Sequence, residues 1–242
     1  MCTVIITVPE TATDPVRLLA IRDEDPGRPW DRLGASWPDA YPGVIGIRDA
    51  RAGGAWLAAD PARRRLAVIL NRADLSDRPD SHVQTRGTIA LESVAGRPPS
   101  QHPQTRGFNL VEVTAHTARV VSWNGVERTA VELPPGTHMI AHNEVDDAGT
   151  ARIAHWLPEF RDAAPHTVAE DESAWWDAWL SIIERSAQLP GTAETAIIRR
   201  QSFEGTPSYS LLVAVATVGE NGIDVRDAPL PVPGEWRPVA LD

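Results

Sequence analysis

The chain has 242 residues, 42% of them hydrophobic, which is enough apolar material for a globular core. Its net charge is −10 at pH 7, and an acidic chain of this kind disfavours nucleic acid as a partner. All 23 basic residues are arginine, which excludes lysine Schiff-base chemistry, and the single cysteine excludes an internal disulfide and a multi-cysteine zinc site.

The first elements of the chain predict a hairpin followed by a long loop. β-Branched residues at 3–8 predict a strand, and residues 16–23 predict a second strand at hairpin distance. Residues 24–43 then contain four prolines and three glycines, which interrupt regular structure. Two tryptophans and a tyrosine in this stretch argue against disorder, so we expect a packed loop that lies over a site.

The rest of the chain stays rich in strands, with its helices clustered in the middle. This order of elements favours an α+β layered fold over alternating βαβ units. We predict one domain over residues 1–242, with a proline-rich tail from about residue 227. The further predicted strands are at 53–60, 64–71, 108–114, 119–123, 126–133, 137–143, 194–201 and 208–218, and the predicted helices are at 85–96, 150–161 and 172–188.

The only cysteine of the chain is Cys2, directly after the initiator methionine. Removal of the methionine would leave an α-amine that titrates near ~8 beside a thiol that titrates near ~8.5. The amine can accept the thiol proton, so Cys2 is a candidate N-terminal nucleophile for attack on an amide or ester carbonyl. The alternative is a small apolar residue that leads into an edge strand.

Polar residues at strand ends are candidates to assist such a nucleophile. Asn71 and Asn143 end apolar stretches, where their amide groups could donate to a developing oxyanion; the alternative is an ordinary turn residue. Arg22, Asp23 and Glu24 end the second predicted strand, and a hairpin would bring them beside the cysteine. The alternative for this charged cluster is a solvated turn.

Two further patterns have a functional and a plainer interpretation. His138 and His142 are four residues apart on a predicted strand, so they share a face that suits a metal or haem iron. Two histidines without a third ligand are a weak zinc signal, and we predict no metal site. The tetrapeptide Gln-Thr-Arg-Gly occurs at 84–87 and again at 104–107, and its unrelated flanks favour coincidence.

Several stretches together resemble the NRDE family, also called the Transport and Golgi organisation 2 family. Its members typically begin Met-Cys and carry Asn-Arg-Asp-Glu at the end of the second strand, where this chain has Ile21 followed by the charged cluster. The resemblance covers roughly residues 2 to 218 in the same order. The other matching stretches are "GIRDARAGGAWL" at 46–57, "AVILNR" at 67–72, "TRG" at 85–87, "FNLV" at 108–111, "LPPGTHMIAHN" at 133–143 and "EGTPSYSLLVAV" at 204–215.

The family is similar to N-terminal nucleophile hydrolases of the penicillin acylase and choloylglycine hydrolase kind. The resemblance therefore implies a four-layer αββα sandwich of N-terminal nucleophile hydrolase type, in which Cys2 attacks an amide. It also implies that Asp23 or Glu24 holds the amine, and that Asn71 and Asn143 line the oxyanion site. Two departures, Ile21 and Pro207, remove polar groups that the family or the hydrolases carry at these positions.

We therefore expect a Cys2-dependent amide hydrolase or acyl transferase that acts on a small molecule without a cofactor. Arg22, Arg28, Trp30 and Trp56 are the predicted substrate-binding residues. The alternative, implied by the resemblance, by the aromatic loop and by the pair of His138 and His142, is a non-catalytic protein that binds and traffics haem or another hydrophobic metabolite.

The expected cellular location follows from two sequence signals, one for secretion and one for a membrane span. A signal-peptide pattern is absent, and the longest apolar run near the end, residues 211–218, is too short to span a bilayer. We expect a cytoplasmic protein with no membrane span and no nucleic-acid partner. The sequence carries no signal for an oligomeric state.

Overall fold

Two antiparallel sheets contain the thirteen strands found in the computed structural model, which describes residues 2–11, 13–163, 175–203 and 205–242. Within these ranges, one sheet has six strands in the order β10-β1-β2-β12, with β11 and β13 both pairing with β12. The other sheet has seven strands in chain order from β3 to β9. The strands are β1 Thr3–Val8, β2 Val16–Glu24, β3 Trp30–Gly34, β4 Ile45–Asp49, β5 Ala55–Asp60, β6 Arg65–Asn71, β7 Phe108–Val113, β8 Ala118–Trp123, β9 Arg128–Glu132, β10 Gly136–Ile140, β11 Arg200–Phe203, β12 Thr206–Gly219 and β13 Gly222–Pro229.

The hairpin of β1 and β2 is central to the six-stranded sheet, with Thr3 opposite Ile21. Side chains alternate between the two faces of a strand, so the two faces of this hairpin meet different partners. Val4 and Ala20 face the hydrophobic core between the two sheets, whereas Ile5 and Ile21 belong to a second core beneath the helices. Both faces are buried, which explains why these strands are apolar almost throughout.

The helices cover the outer faces of the two sheets. Helix α1 (Ile89–Val94) packs on β5 and β6 of the seven-stranded sheet. Helix α2 (Ala151–Asp162) packs on β10 of the six-stranded sheet and against α3 (Asp177–Ser186). The described chain is thus an α+β sandwich of helix, sheet, sheet and helix layers, as predicted for the fold class. No helix in the described ranges is long and apolar enough to cross a membrane.

The apolar face of α3 and the residue before it hold the outer layer to the sheet. Trp179 and Ile183 are fully buried, and Trp176 is 7% exposed. The Trp179 ring packs edge-to-face against Phe160 of α2, with ring centroids 5.7 Å apart. Residues 172–174 of the predicted helix lie outside the described residues.

Several predicted bounds are wrong, mostly where short strands follow turn residues. The predicted loop at 24–43 contains β3, whose pairing with β4 is interrupted by a shift of register. Strands β4 and β13 were not predicted, and β13 runs into the predicted tail. The strand predicted at 194–201 begins only at Arg200, the one at 137–143 ends at Ile140, and α1 begins only at Ile89.

A close backbone approach holds the segment before α1 against β5. The amide of Ala55 donates to the carbonyl of Gly87 at 2.9 Å. A Cβ atom on Gly54 would lie 1.8 Å from the Gly87 carbonyl oxygen, so only glycine fits there.

Gly54→Ala should therefore destabilise the fold by about 1–3 kcal/mol, because the backbone must move to relieve the overlap. Urea unfolding measures this loss as a lower midpoint. The matched control is Gly34→Ala, whose new Cβ meets only the Arg32 carbonyl oxygen at 3.8 Å, and whose midpoint should stay close to that of the wild type. Equal midpoints for the two variants would contradict the close approach.

Candidate active site

Cys2 lies in the wall of a pocket of about 500 Å³, which we call the Cys2 pocket. The ends of β1 and β2 form one side of it and those of β5 and β6 the other, and residues 83–87 close it. Its size is typical of a small-molecule site. The lining residues are Cys2, Arg22, Asp23, Glu24, Arg28, Asp49, Ala52, Ala55, Trp56, Ile69, Asn71, Asp80, Val83, Gln84, Thr85, Arg86, Gly87 and Arg106.

The pairing of β1 with β2 fixes the position of the Cys2 thiol. The Asp23 amide donates to Cys2 Sγ at 3.4 Å, and Sγ lies 3.6 Å from the Asp23 carbonyl oxygen, to which the thiol can donate. Burial of Cys2, which is 6% exposed, raises the pKa of the thiol, and the negative charge of Asp23 raises it further. The positive charge of Arg22 lowers the pKa in part, so the net effect keeps the thiol protonated.

Asp23 is bound by groups from elements far away in the sequence. Ser210 on β12 donates from its hydroxyl to Asp23 Oδ1 at 2.6 Å and accepts the amide of Arg199 at 2.8 Å. Burial lowers the pKa of the Arg199 and Arg152 guanidinium groups, and attraction to Asp23 acts in the opposite direction. Arg152 of α2 also donates to Thr3 Oγ1 at 3.1 Å. The carboxylate of Asp23 is therefore hydrogen-bonded to Ser210 and within electrostatic reach of Arg152 and Arg199.

Glu24 and Arg22 face the pocket, one residue either side of Asp23. Arg22 Nη2 lies 3.6 Å from Glu24 Oε2 and 3.8 Å from Asp49 Oδ2. Arg28 donates from Nε to Asp49 Oδ2 at 2.7 Å. The charged cluster predicted at the end of the second strand thus surrounds Cys2, and Asp49 is a member that sequence reasoning did not single out.

The remaining predicted site residues divide into two groups. Asn71, at the end of β6, and Trp56, on β5, both line the Cys2 pocket across from the cysteine. Asn143 does not line the pocket: it donates from Nδ2 to Asp147 Oδ2 at 3.0 Å and to Thr150 Oγ1 at 3.2 Å, ahead of α2. Trp30 also lies outside the lining and packs against the core between the sheets.

A model of the Transport and Golgi organisation 2 family matches residues 1–209 of the chain. The chain belongs to this family. No curated protein shows significant similarity to it. The match includes every residue that lines the Cys2 pocket, so the pocket is part of the Transport and Golgi organisation 2 domain.

The two departures that the family resemblance brought out fall away from the Cys2 pocket. Ile21 is 1% exposed and packs beneath the helices, and Pro207 pairs with Ser202 between β11 and β12. Arg152 and Arg199 supply positive charge near Asp23 from other elements. Sequence reasoning missed both arginines because no local pattern connects them to β2.

The two copies of the repeated tetrapeptide in this Transport and Golgi organisation 2 protein lie side by side. The Gln84 amide donates to the Gln104 carbonyl at 2.8 Å, and Gln84 forms a parallel bridge with Thr105. Arg86 and Arg106, the arginines of the two copies, both line the Cys2 pocket. The repetition was the sequence signal that could have identified these two residues.

The two predicted histidines do not form a ligand pair. His138 places Nδ1 2.8 Å from Asp146 Oδ2 and Nε2 2.9 Å from the Pro134 carbonyl oxygen, which engages both ring nitrogens. His142 lies beyond the end of β10, and burial together with the charge of Arg152 lowers its pKa to about 4. Among the described residues, no group of three His, Cys, Asp or Glu side chains is arranged to hold a metal ion.

Alkylation of the single cysteine by iodoacetamide should report the raised pKa of Cys2. The rate should reach half its maximum at a pH above the ordinary range of a free thiol, because the thiolate is the reacting form. Asp23→Asn removes a negative charge that raises this pKa, so the midpoint should move to lower pH.

Asp80→Asn is the control for that titration, because Asp80 lines the same pocket but its side chain is 94% exposed. It should leave the midpoint where it is in the wild type. An Asp23→Asn profile that superimposes on the wild-type profile would refute the proposed electrostatic contact.

Proposed function

We propose that this protein is a Cys2-dependent amide hydrolase or acyl transferase that acts on a small molecule. The observation that carries the proposal is the position of its only cysteine, which lines a pocket of about 500 Å³ together with the charged residues Arg22, Asp23 and Glu24. A buried cysteine with a purely structural role has no need of a charged pocket around it. Membership of the Transport and Golgi organisation 2 family supports the proposal through the likeness of that family to N-terminal nucleophile hydrolases.

The proposed reaction requires removal of Met1, so that Cys2 carries a free α-amine. The amine takes the thiol proton while Sγ forms a bond to the substrate carbonyl carbon, and the carbonyl π electrons move to its oxygen. Collapse of this intermediate breaks the C–N bond, and the leaving amine receives the proton from the Cys2 ammonium. Water or an acceptor amine then attacks the thioester, releases the acyl group and restores the thiol.

Two neighbours of Cys2 have the chemistry that these steps demand. Asp23 offers a negative charge that would hold the ammonium form of the amine, and its own carboxylate is fixed by the Ser210 hydroxyl at 2.6 Å. Asn71 sits on the opposite sheet, where its amide group would donate to the oxyanion. The raised pKa of the thiol makes a nearby proton acceptor necessary, which is the role of the α-amine.

Haem carriage, the alternative function, gains no comparable support. His138, one of the two candidate ligands, has both of its ring nitrogens hydrogen-bonded already, so the two histidines do not act as a pair. The aromatic residue predicted to face the site from the loop, Trp30, packs into the core instead.

Hydrolysis of small acyl p-nitroanilides tests the proposal. Cys2→Ala should lower kcat/KM by at least about 10³-fold, because it removes the nucleophile. Asn71→Ala should lower kcat by about 10²-fold with little change in KM, since an oxyanion donor acts mainly in the transition state.

The matched control is Asn221→Ala, in the exposed turn between β12 and β13, which should keep the wild-type rate. Hydrolysis by Cys2→Ala at the wild-type rate would overturn the proposal.

A further inference from the structure

Two residues that line the Cys2 pocket each carry a hydrogen-bond donor that has no acceptor among the described residues. Nη1 of Arg22 and Nε1 of Trp56 are both buried and unpartnered. The two residues are 2% and 5% exposed, so water does not readily satisfy these groups. A buried donor without an acceptor destabilises the folded protein, and such groups are rare. Their presence here therefore calls for an explanation. Both groups can only donate, so the molecule that satisfies them must present acceptors.

The partners of the four pocket arginines differ. Arg28 is hydrogen-bonded to Asp49 at 2.7 Å, and Arg106 forms an ion pair with Asp80. Arg22 lies no closer than 3.6 Å to a carboxylate oxygen. Of these three arginines, Arg22 therefore has the most distant carboxylate partners, and its guanidinium is the most available to bind an anion.

Arg86 is the fourth arginine, and within the described part of the chain it makes no ion pair. It donates from Nη1 to the Gly107 carbonyl oxygen at 2.7 Å, and burial lowers the pKa of its guanidinium. Attraction to Glu24 and to Cys2 opposes that effect, so Arg86 is within electrostatic reach of both. Two of the four arginines, Arg22 and Arg86, therefore keep donor capacity close to the nucleophile.

The charge balance of the pocket limits what anion fits. Its lining contains four arginines and four carboxylates, in a chain whose net charge is −10. At a given distance, Glu24 and Asp49 repel a doubly charged phosphate about twice as strongly as a singly charged carboxylate. The pocket therefore favours an anion with one negative charge. Arginine and the indole N–H together match the two oxygens of a carboxylate.

We propose that the Cys2 pocket selects acylated substrates that carry a carboxylate, which Arg22 Nη1 and Trp56 Nε1 bind with Arg86 supplying further positive charge. This inference rests on the proposed function, because it takes the pocket as the substrate site. The carboxylate sits on the part of the substrate beside the scissile amide, so it fixes the distance between that amide and the thiol. Arg22 and Trp56 are specificity-determining residues in this scheme.

Binding to full-length Cys2→Ala protein tests the inference without turnover. The probes are N-acetyl-L-alanine, N-acetyl-L-alaninamide and inorganic phosphate, with Kd measured by NMR titration. The carboxylate probe should bind at least about tenfold more tightly than its amide, because a hydrogen bond to a charged group is lost in the amide. Phosphate should bind more weakly than the carboxylate probe.

Two added substitutions should each remove most of this preference. Trp56→Phe keeps an aromatic ring and deletes only the N–H donor, and Arg22→Gln deletes the charge. The matched controls are Trp236→Phe, which packs on the helix side, and Arg48→Gln, which pairs with Asp31 at 3.2 Å outside the pocket lining. Both controls should keep the preference. If Arg22→Gln does not fold, Trp56→Phe alone decides the question.

Equal binding of the acid and the amide would overturn the inference, as would tighter binding of phosphate or a preference that survives both pocket substitutions. These outcomes differ from a failure of the proposed function. A carboxylate preference in a protein whose Cys2 never becomes acylated would sustain this inference and reject the hydrolase. Acylation of Cys2 without any preference would do the reverse.

Discussion

The antiparallel pairing of β1 with β2 is the constraint on which the site depends. The register sets Thr3 opposite Ile21, so Cys2 comes level with the charged residues that end β2. The Asp23 backbone then both donates to and can accept from the Cys2 thiol. A shift of one residue would turn every side chain of the strand to the other face and separate the thiol from the pocket.

Strand alternation places the three charged residues at the end of β2 on two different faces of the sheet. Arg22 and Glu24 share the face that looks across to the seven-stranded sheet, where the pocket lies. Asp23 turns its carboxylate to the other face, where Ser210 and two buried arginines meet it. Charge is thus available on both sides of one strand end, and the cysteine lies where the two environments meet.

Much of this arrangement was predictable from the sequence, because it depends on local patterns. β-Branched residues and the turn between them identified β1 and β2, and the strand end of β6 identified Asn71. Two of the three missed strands, β3 and β4, were short: β3 spans five residues between Pro29 and Ala35 and pairs irregularly, so no alternation was long enough to identify it. Arg152, Arg199 and Ser210 could not be foreseen, because tertiary contacts alone bring them to Asp23. Asn143, predicted for the oxyanion site, does not line the Cys2 pocket, and its amide group is used ahead of α2.

The central claim is that Cys2, freed of Met1, is the nucleophile of this pocket. The most direct measurement is the intact mass of the protein after brief exposure to an activated acyl thioester and an acid quench, followed by N-terminal peptide mapping. The account predicts a chain that lacks Met1 and gains one acyl group on Cys2, and no added mass in Cys2→Ala. An active chain that retains Met1, or one that turns the thioester over with no acyl mass on Cys2, would contradict it.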